Sequence, residues 1–461
     1  MAAARRRRAR LRLLLLCAAV ALALIVLLRG CGGGTQKPQP FSGKDGDPFA
    51  YSASDHARFE RRAAVGLAHV LYSRSPGGAE ATARRVARYR PLVDAVAAKD
   101  GVPADMLEAL VFLESAGRPD ARAGNDLSGA AGLTQILAET ATNLLGMRVD
   151  VAASEKLTRG IARGTKVAAR KRERRRIDER FDPPKAVAAA GRYLVIAKRT
   201  LGRDDLAFES YHMGIGNLQG ALRAYGETKI PYAQLFFDSS PLRHPEAWKV
   251  LASLGDDSST YLWRLFAARD IMRLYRGDLA KLRTIAGRQT AKSSAEEVLH
   301  PEETTAAFAD PSSLALAYSR GTVTALPAAA LAKDGITVDA QMGELASQLG
   351  QQPGLYRGLR PKALEVLRSI GQATRQIGGG GALVLTSTVR DRRYQRELGG
   401  VNAEATNGFS LHTTGYAFDI LRSYSSREQA LAFQFVLDRL TALNAIAWLR
   451  EPKAIHITVA G

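Results

Sequence analysis

The hydropathy pattern of this 461-residue chain changes type once, and that change limits the folds open to it. Over residues 57–286 apolar residues recur at helical spacing, in long segments rich in Ala, Leu and Arg that are broken by Gly and Pro. Beyond residue 333 helical segments alternate with short runs such as ALVLTSTV, YAFDIL and AIHITV, which are typical of strands. The chain is long enough for two cores. We therefore predict an α+β multidomain protein, with an all-α domain over 56–286, a linker over 287–332, and an α+β domain with a small antiparallel sheet over 333–461.

The N-terminal segment predicts export. Six arginines within residues 5–12 precede an unbroken apolar run over residues 13–28. Basic residues before such a run keep the N-terminus in the cytoplasm, so the body of the chain is expected outside it. Residues 1–34 allow three interpretations: an uncleaved anchor, a lipoprotein signal in which Cys31 is lipidated, or a removed signal peptide. Residues 35–55, rich in Gly, Pro, Ser and Lys, are expected to form a flexible stalk.

The net charge of the chain limits its possible binding partners, and the positions of its cysteines limit the chemistry of any site. With 65 Lys and Arg against 45 Asp and Glu, the chain has a formal charge of +20, which favours anionic polymers. Nucleic acid, an acidic membrane face and an anionic cell wall all fit that charge, and the predicted export argues against nucleic acid. Cys17 and Cys31 are the only cysteines, and both lie in the predicted leader. The body is therefore expected to have no internal disulfide, and any metal site in it must use His, Asp or Glu.

One carboxylate lies on the apolar face of a predicted helix in the all-α region. In DMLEALVFLESAG the apolar residues Leu107, Leu110 and Val111 have the i, i+3, i+4 spacing. Glu114 follows at i+7 on the same face, where burial raises the pKa of a carboxyl, as a general acid working near neutral pH requires. Gly117 is expected to end the helix and so to place Glu114 in the last turn, at the edge of a cleft. A structural glutamate held in an ion pair is the alternative.

Three sequence blocks around this carboxylate occur in a recognisable order. Glu114-Ser115 is followed by SGAAGLTQI over residues 128–136 and by AFESYHMGIGN over residues 207–217. Together they resemble the lytic transglycosylase and goose-type lysozyme family over residues 90–225. One position departs from that family, because His212 stands where Asn is usual. The resemblance implies a lysozyme-like fold and peptidoglycan as the substrate, without a cofactor.

The same resemblance implies roles for single residues. Glu114 would be the catalytic residue, with Tyr211 beside it as a second catalytic group. Substrate contacts are implied for six further residues, which are Ser115, Ser128, Gly132, Gln135, Gly214 and Asn217.

The expected mechanism needs only one acid. Glycosidases generally use two carboxylates, but Asp120 and Asp126 lie in a Gly-rich loop and are expected to form turns. The family implies that Glu114 protonates the oxygen of the MurNAc-GlcNAc bond and then deprotonates the muramyl 6-hydroxyl, which gives a 1,6-anhydro sugar. Attack by water, as in a lysozyme, stays open as the alternative.

A second cluster of candidate site residues lies in the C-terminal region. His412 and Asp419 belong to SLHTTGYAFDI, in which Asp419 is a carboxylate within an apolar strand. In AIHITV, Ile455 and Ile457 share the core face, so His456 points the other way. Two imidazoles and one carboxylate leave a fourth position for water, as catalytic zinc requires. Structural histidines without a metal are the alternative.

The His-x-x-Gly-x-Ala-x-Asp spacing resembles the zinc D-alanyl-D-alanine carboxypeptidase and endopeptidase family, over residues 380–461. The resemblance implies contacts to zinc or substrate from five residues, with His412, Asp419 and His456 as Zn²⁺ ligands, Arg390 as a catalytic contact and Gln395 as a substrate contact. The Arg and Gln belong to the Arg-x-x-x-x-Gln feature of that family.

The position of the general base departs from this second family. Its Glu usually lies three residues before the last His, whereas here Glu451 lies five residues before His456. An odd offset places Glu451 on the same strand face, about 6.6 Å further along by strand rise. Glu451 is the candidate catalytic base, and whether the domain cleaves peptides or only binds metal stays open.

Together the two regions predict a bifunctional peptidoglycan hydrolase that lies outside the cytoplasm, is anchored to the cytoplasmic membrane and faces the wall. The helical domain would cleave the glycan strand, and the C-terminal domain would act on stem peptides. Two other interpretations stay open: a glycan-cleaving enzyme whose C-terminal domain only binds the wall, and a non-catalytic cell-wall or spore-wall scaffold. The expected partners are peptidoglycan and, through residues 1–34, the membrane, with no nucleic acid; the oligomeric state is left open.

Overall fold

The computed structural model describes residues 51–255, 257–402, 406 and 408–461. The predicted leader with its two cysteines, and most of the predicted stalk, lie outside the described residues. In the part of the chain that is described, no helix has the length and apolar character needed to cross a membrane. All described residues belong to one compact unit.

The N-terminal region is helical, as its periodicity predicts. In addition to a π-helical turn at Thr140–Leu144, it contains the following helices, numbered in chain order: α1 (His56–Gly66), α2 (His69–Ser73), α3 (Ala79–Ala87), α4 (Arg90–Asp100), α5 (Ala104–Ser115), α6 (Val151–Ala162), α7 (Val167–Ile177), α8 (Pro183–Leu201), α9 (Asp204–Met213), α10 (Ile215–Tyr225), α11 (Tyr232–Asp238), α12 (Pro245–Ser253), α13 (Tyr261–Gly277) and α14 (Leu279–Thr290).

Helices α5 and α13 pack against each other in the core of this region. Leu107, Leu110 and Val111 of α5 are fully buried, as their spacing predicts, and so is Trp263 of α13. These side chains leave water completely, so their burial contributes the hydrophobic stabilisation that holds the two helices together. The face of α5 that carries Glu114 is thus packed against α13.

Helix α5 ends where the sequence predicts. Ala116 takes a left-handed conformation with φ 53°, and Gly117 follows with φ 70°. A Cβ atom at Gly117 would lie 2.9 Å from the backbone nitrogen of Val86, so glycine is required by packing as well as by conformation. This termination leaves Glu114 in the last turn of the helix.

The C-terminal region combines strands with helices. The strands are β1 (Thr324–Ala325), β2 (Ile336–Val338), β3 (Gly358–Leu359), β4 (Leu383–Ser387), β5 (Ala417–Leu421), β6 (Ile446–Arg450) and β7 (Ala454–Val459). The helices are α15 (Glu296–Leu299), α16 (Pro311–Ser319), α17 (Ala328–Lys333), α18 (Pro361–Gly378), α19 (Arg392–Val401) and α20 (Arg427–Ala442). Five strands form one sheet in the order β2-β4-β5-β7-β6, and β1 pairs separately with β3.

The prediction of an antiparallel sheet is wrong at one edge. Strand β2 pairs in parallel with β4, with Ile336 opposite Leu383, whereas the remaining pairs of this sheet are antiparallel. Parallel neighbours need a long crossover connection, and α18 lies in the connection between these two strands. The site-bearing strands β5 and β7 lie inside the antiparallel part.

Residues 287–332, the segment expected to be a linker, contain α15, α16 and β1. Within it, Nε2 of the His300 ring lies 2.7 Å from the carbonyl oxygen of Val459 in β7. The backbone N–H of Phe308 donates to the carbonyl of Thr413 at 2.7 Å. The segment therefore packs directly on the strands and turns that carry the C-terminal site residues.

One buried arginine joins the helical and C-terminal regions. Arg439 of α20 donates from Nη2 to the carbonyl oxygen of Ser239 at 2.9 Å, and from Nη1 to that of Phe236. Its guanidinium also lies over the Phe236 ring, 4.4 Å from the centroid. Ala442 and Leu443, at the end of α20, belong to the hydrophobic core of the helical region. The two regions thus share buried contacts.

Candidate functional site

Glu114 lies in the last turn of α5 and is partly buried. Loss of water around the carboxyl raises its pKa to about 7, although a hydrogen bond from Tyr261 and the charge of Arg264 act in the opposite direction. This is the direction expected for a carboxyl at the edge of an apolar helix face. A pKa near neutrality lets a carboxyl both donate and accept a proton.

Tyr261 is the residue that hydrogen bonds to this carboxyl. Its hydroxyl donates to Oε1 of Glu114 at 2.6 Å, from the first residue of α13. Burial, followed by the charge of Glu114, holds the pKa of Tyr261 well above its usual range, so the hydroxyl stays a proton donor. Nothing in the sequence near Tyr261 identifies this contact, because it depends on the packing of α13 against α5.

Tyr211, predicted beside Glu114, is held in place by the loop that follows α5. Its hydroxyl donates to the carbonyl oxygen of Thr134 at 2.8 Å. Its ring meets Tyr193 edge-on, with centroids 5.1 Å apart. Burial and then the negative charge of Glu114 hold the pKa of Tyr211 well above its usual range, so the phenol stays neutral. The role of Tyr211 in catalysis stays a prediction.

His212, which departs from the family pattern, lies on the other tyrosine. Its ring stacks on Tyr261 with centroids 5.3 Å apart and an angle of 7° between the planes. His212 is exposed. The residue that replaces the usual Asn therefore lies over the tyrosine that contacts Glu114.

The loop of residues 128–136 is fixed by a buried arginine that sequence reasoning did not identify. Arg180 donates to the carbonyl oxygens of Leu127 at 2.7 Å and Gly129 at 2.9 Å, while it is paired with Asp178. A Cβ atom at Gly132, where φ is 82°, would lie 1.8 Å from the carbonyl oxygen of Arg180. Gly132 is therefore required by this close backbone approach, whatever it contributes to sugar binding.

The other predicted substrate contacts make local hydrogen bonds. The Ser115 hydroxyl donates to the Val111 carbonyl at 3.2 Å, and the Ser128 hydroxyl donates to Asp126 at 2.6 Å. The Gln135 side-chain amide donates to the Gly132 carbonyl at 2.8 Å, and that of Asn217 donates to the Met213 carbonyl at 2.9 Å. Gly214 has φ 85° and separates α9 from α10. Their contacts to a sugar stay predictions.

The two acids that follow Glu114 are engaged elsewhere. Asp120 is paired with Lys171, at 2.6 Å, and with the buried Arg174. Asp126 accepts from the backbone and the hydroxyl of Ser128, which is the turn role expected of it.

In the C-terminal region His412, Asp419 and His456 come together. One potential ligand atom from each lies within 4.8 Å of the others, and all three residues are buried. Asp419 on β5 lies directly opposite His456 on β7, and His412 lies in the turn before β5. The antiparallel register thus brings together residues that are well separated in the sequence.

Each imidazole of this cluster has one nitrogen facing Asp419 and the other facing an outer acceptor. In His412, Nδ1 lies 2.7 Å from the Thr388 carbonyl and Nε2 lies 3.2 Å from Asp419. In His456, Nδ1 lies 2.9 Å from Asp419 and Nε2 lies 3.1 Å from Glu296. Metal-ligating histidines usually have this arrangement, because the outer acceptor fixes the tautomer. The residues present therefore fit a metal ion between them.

The two imidazoles of the cluster differ in charge when no ion is bound. Burial, followed by the charge of Arg390, lowers the pKa of His412 to about 4, so this imidazole is neutral near pH 7. Burial would raise the pKa of Asp419, but the hydrogen bonds of His412 and His456, together with the positive charge of His456, hold it well below the usual range. Burial would lower the pKa of His456, but its hydrogen bonds to Asp419 and Glu296 raise it to about 10, so this imidazole must lose a proton before it can bind a metal. A carboxylate and two neutral imidazoles are a donor set that suits zinc.

Arg390 and Gln395, the residues of the Arg-x-x-x-x-Gln feature, lie beside this cluster. Arg390 donates to Gln395 Oε1 at 2.9 Å and to Ser387 at 2.7 Å, and its Nη2 lies 3.4 Å from Asp419. Gln395 donates in turn to the backbone carbonyl of Thr406 at 3.0 Å. The guanidinium is therefore held in one orientation next to Asp419.

Glu451 lies near the cluster but not on the strand expected for it. Strand β7 begins at Ala454, and the N–H of Glu451 donates to the carbonyl of Ala454 at 2.9 Å, which closes the β6–β7 hairpin. The expectation of a shared strand face is thus wrong, because Pro452 and Lys453 form the turn between the strands. Lys453 occupies the position three residues before His456.

Two cavities of about 320 Å³ and 390 Å³ meet at this cluster. Arg390, Asp419 and Glu451 line both of them, whereas His412 and His456 line the first. Space for a ligand therefore extends on both sides of Asp419, and Glu451 borders it.

Comparison with known families gives one match. Residues 91–233 match the sequence model described as Transglycosylase SLT domain, which includes Glu114, the 128–136 loop and Tyr211. Tyr261 and the whole C-terminal region lie outside the matched residues. No curated protein matches the chain. The match supports the lytic transglycosylase resemblance and peptidoglycan as the substrate of the helical region; the zinc peptidase resemblance stays a prediction.

Proposed function

We propose that this protein cleaves the MurNAc-GlcNAc bond of peptidoglycan by a lytic transglycosylase reaction in which Glu114 is the single acid and base. The observation that carries the proposal is the carboxyl of Glu114, whose pKa is raised to about 7 within the residues that match the transglycosylase domain. The two acids that follow Glu114 in sequence are engaged in an ion pair and a turn.

The proton balance of this reaction follows from the geometry around Glu114. Tyr261 donates to Oε1, so Oε2 is the oxygen we assign to the substrate. Protonated Glu114 donates to the glycosidic oxygen as the bond from C1 of the muramyl residue breaks. The resulting carboxylate then takes the proton of the muramyl 6-hydroxyl while O6 bonds to C1, which gives the 1,6-anhydro product and restores the acid.

Tyr261 and Tyr211 support this cycle in different ways. The hydrogen bond from Tyr261 stabilises the carboxylate and offsets part of the effect of burial, which keeps the pKa of Glu114 near neutrality rather than higher. Tyr211 ties α9 to Thr134 in the loop predicted to line the substrate groove. We therefore assign Tyr211 a positioning role beside the reacting atoms.

The test of this proposal is the product spectrum of purified peptidoglycan, measured by mass spectrometry. Wild type is expected to release 1,6-anhydro muropeptides, and Glu114→Gln to release them about 10²–10⁴-fold more slowly, because only the transferable proton is lost. Glu173→Gln, on the exposed part of α7, is the matched control and should behave as wild type. Reducing-end products from wild type would instead indicate water as the nucleophile, and equal rates for Glu114→Gln would reject Glu114 as the acid.

For the C-terminal region we propose a zinc-dependent peptidase that acts on stem peptides. His412, Asp419 and His456 would hold the ion, which when bound would supply a polarised water and an activated amide carbonyl. Arg390 is oriented by Gln395 and Ser387 to face a developing oxyanion, and Glu451 borders the same cavities as the candidate base. Space on both sides of Asp419 favours a peptide that continues beyond the cleaved bond.

Two measurements on the full chain separate the parts of this second proposal. Elemental analysis after reconstitution is expected to find zinc bound to wild type but not to His412→Ala. On a stem peptide, loss of cleavage in both Glu451→Ala and His412→Ala would support Glu451 as the base. Zinc binding without peptide cleavage would instead favour a C-terminal domain that only binds the wall.

We also propose that the body of the protein is exported and held at the cytoplasmic membrane by residues 1–34. The support is the arginine block before the apolar run over residues 13–28. Fractionation tests this: full-length protein should sediment with membranes, and a reporter fused to the C-terminus should be active only outside the cytoplasm. Recovery of full-length protein from the cytosol would reject the assignment.

A further inference from the structure

We infer that Glu296 is a positioning residue of the C-terminal metal centre, and that it orients His456 so that this imidazole offers Nδ1 to the ion. This inference rests on the proposed metal binding by His412, Asp419 and His456. It concerns a residue that lies outside the motif carrying these ligands, in the segment expected to be a linker.

Glu296 is buried directly behind His456. Its Oε2 lies 3.1 Å from Nε2 of His456, on the side of the ring away from Asp419. Only 6% of Glu296 is exposed, and it borders the same cavity as His456. Thr458, two residues after His456 on the same face of β7, donates its hydroxyl to the same oxygen at 3.3 Å. The Glu296 carboxylate therefore contacts His456 through Nε2 and not through Nδ1.

The remaining contacts of Glu296 hold it in that orientation. Lys292 places Nζ 2.8 Å from Oε1, one turn earlier in the chain, and also donates to the carbonyl of Phe409 at 2.8 Å. The hydroxyl of Ser294 donates to Oε2 at 3.3 Å. With Oε1 on Lys292 and Oε2 on His456, both oxygens are engaged, which suits a residue that orients another group rather than one that carries protons to a substrate.

The groups that contact the two ring nitrogens of His456 determine its tautomer. An acceptor at Nε2 keeps a proton there, so the lone pair of neutral imidazole must lie on Nδ1, which faces Asp419. His412 is oriented in the same way but through its opposite nitrogen, because the Thr388 carbonyl accepts from Nδ1. A carboxylate is a stronger acceptor than a carbonyl, so it also makes His456 the more basic ligand.

This assignment places part of the metal centre upstream of the C-terminal domain. Helix α15 begins at Glu296, and His300 at its end packs against β7 through the Val459 carbonyl. A fragment that begins at residue 333 would contain all three proposed ligands but not the carboxylate behind His456. The full chain is therefore the correct material for metal measurements.

The chain offers a close control for this residue. Glu297 is also 6% exposed and also pairs with Lys292, at 3.0 Å, but it accepts from the backbone of Glu302 and not from His456. Glu297→Ala thus removes a neighbouring buried carboxylate and leaves the proposed contact intact.

The first measurement is zinc affinity of the full chain by competition with a chromophoric chelator. Loss of an outer partner typically weakens metal binding about 10–100-fold, which is the effect expected for Glu296→Ala. Glu296→Gln keeps an oxygen acceptor at the same distance and should recover part of the loss. Glu297→Ala should bind zinc as wild type does. Equal affinities for Glu296→Ala and wild type would overturn the inference.

The second measurement does not depend on the stability of a variant. In zinc-loaded wild type labelled with ¹⁵N-histidine, NMR should find His456 protonated at Nε2 and metal-bound at Nδ1, with the opposite assignment for His412. Metal binding through Nε2 of His456 would overturn the inference, because Glu296 occupies that side. If wild type binds no zinc, the proposed metal function is wrong and this inference is wrong with it. That outcome differs from the two results above, in which wild type does bind zinc.

Discussion

Two carboxyls of this molecule have pKa values shifted in opposite directions: the partly buried Glu114 in the helical region and the buried Asp419 in the C-terminal region. The pKa of Glu114 is raised to about 7, mainly because burial removes water. The pKa of Asp419 is held well below its usual range because imidazoles surround it and outweigh the same effect of burial. Burial alone therefore does not decide what a buried carboxyl can do.

The difference in neighbours corresponds to a difference in chemistry. Glu114 has an apolar helix face around it and one neutral donor, Tyr261, so it can exchange a proton near neutral pH. Asp419 faces His412, His456 and Arg390, so it stays ionised and is suited to hold a cation. A carboxyl group thus suits the proton transfer proposed for one site and the metal binding proposed for the other.

The largest expected effect concerns Asp419. Asp419→Asn removes the permanent negative charge between the two imidazoles, so zinc affinity should fall by more than the ~10–100-fold expected for losing an outer partner. Glycan cleavage should stay at the wild-type rate, because Glu114 lies in the other region. Asp438→Asn, on an exposed position of α20, serves as the control. Loss of glycan cleavage in folded Asp419→Asn would mean that the sites do not act separately.

The second prediction concerns the contact that joins the two regions. Arg439→Ala leaves the carbonyls of Phe236 and Ser239 without this buried donor, at a cost of about 1–3 kcal/mol each. Thermal unfolding should shift to lower temperature, and the two regions should begin to unfold in separate transitions. An unchanged single transition would show that Arg439 does not couple them.

A smaller effect is expected at Tyr261. Tyr261→Phe removes a hydrogen bond that lowers the pKa of Glu114, so that pKa should rise and the alkaline limb of the pH–rate profile should move to higher pH. The rate below neutral pH should fall by about 10–150-fold at most, since a hydrogen bond to a charged group contributes ~1.5–3 kcal/mol and each ~1.4 kcal/mol is a factor of ten in rate. Tyr193→Phe, which loses a similar buried bond to Ser210, should leave the profile in place.

The smallest predicted effect is on stability. The folded-state pKa of Glu114 is raised from 4.5 to about 7, so the folded protein favours the neutral acid. That contribution is fully present below about pH 4.5 and is lost as the pH rises through 7. Glu114→Gln should therefore raise the melting temperature relative to wild type more at pH 8 than at pH 4.5. Equal differences at both pH values would mean that Glu114 is not desolvated.

Local periodicity predicted the parts of the fold that depend on neighbouring residues. Helix α5, its end at Gly117 and the burial of Leu107 and Leu110 follow from the i, i+3, i+4 spacing and from the conformational freedom of glycine. Strand β2 could not be predicted in this way, because its three residues, Ile336–Val338, are too few to show an alternating pattern or to indicate a pairing direction.

The partners of the site residues could not be predicted in the same way. Tyr261 reaches Glu114 through the packing of α13 on α5, and Glu296 reaches His456 from a segment whose composition resembles a linker. Neither contact has a local pattern, since both depend on tertiary packing. Glu451 shows the same limit, because Pro452 starts a hairpin turn where simple strand alternation would continue.

The most direct test of the account is the titration of the Glu114 carboxyl itself. In protein labelled with ¹³C at the glutamate side-chain carboxyl, we predict one resonance that titrates near pH 7 and is absent from Glu114→Gln. That result would establish the carboxyl as both acid and base at neutral pH. A Glu114 resonance that titrates near the ordinary value of 4.5 would contradict the account, because the group would then be ionised before it could protonate the glycosidic oxygen.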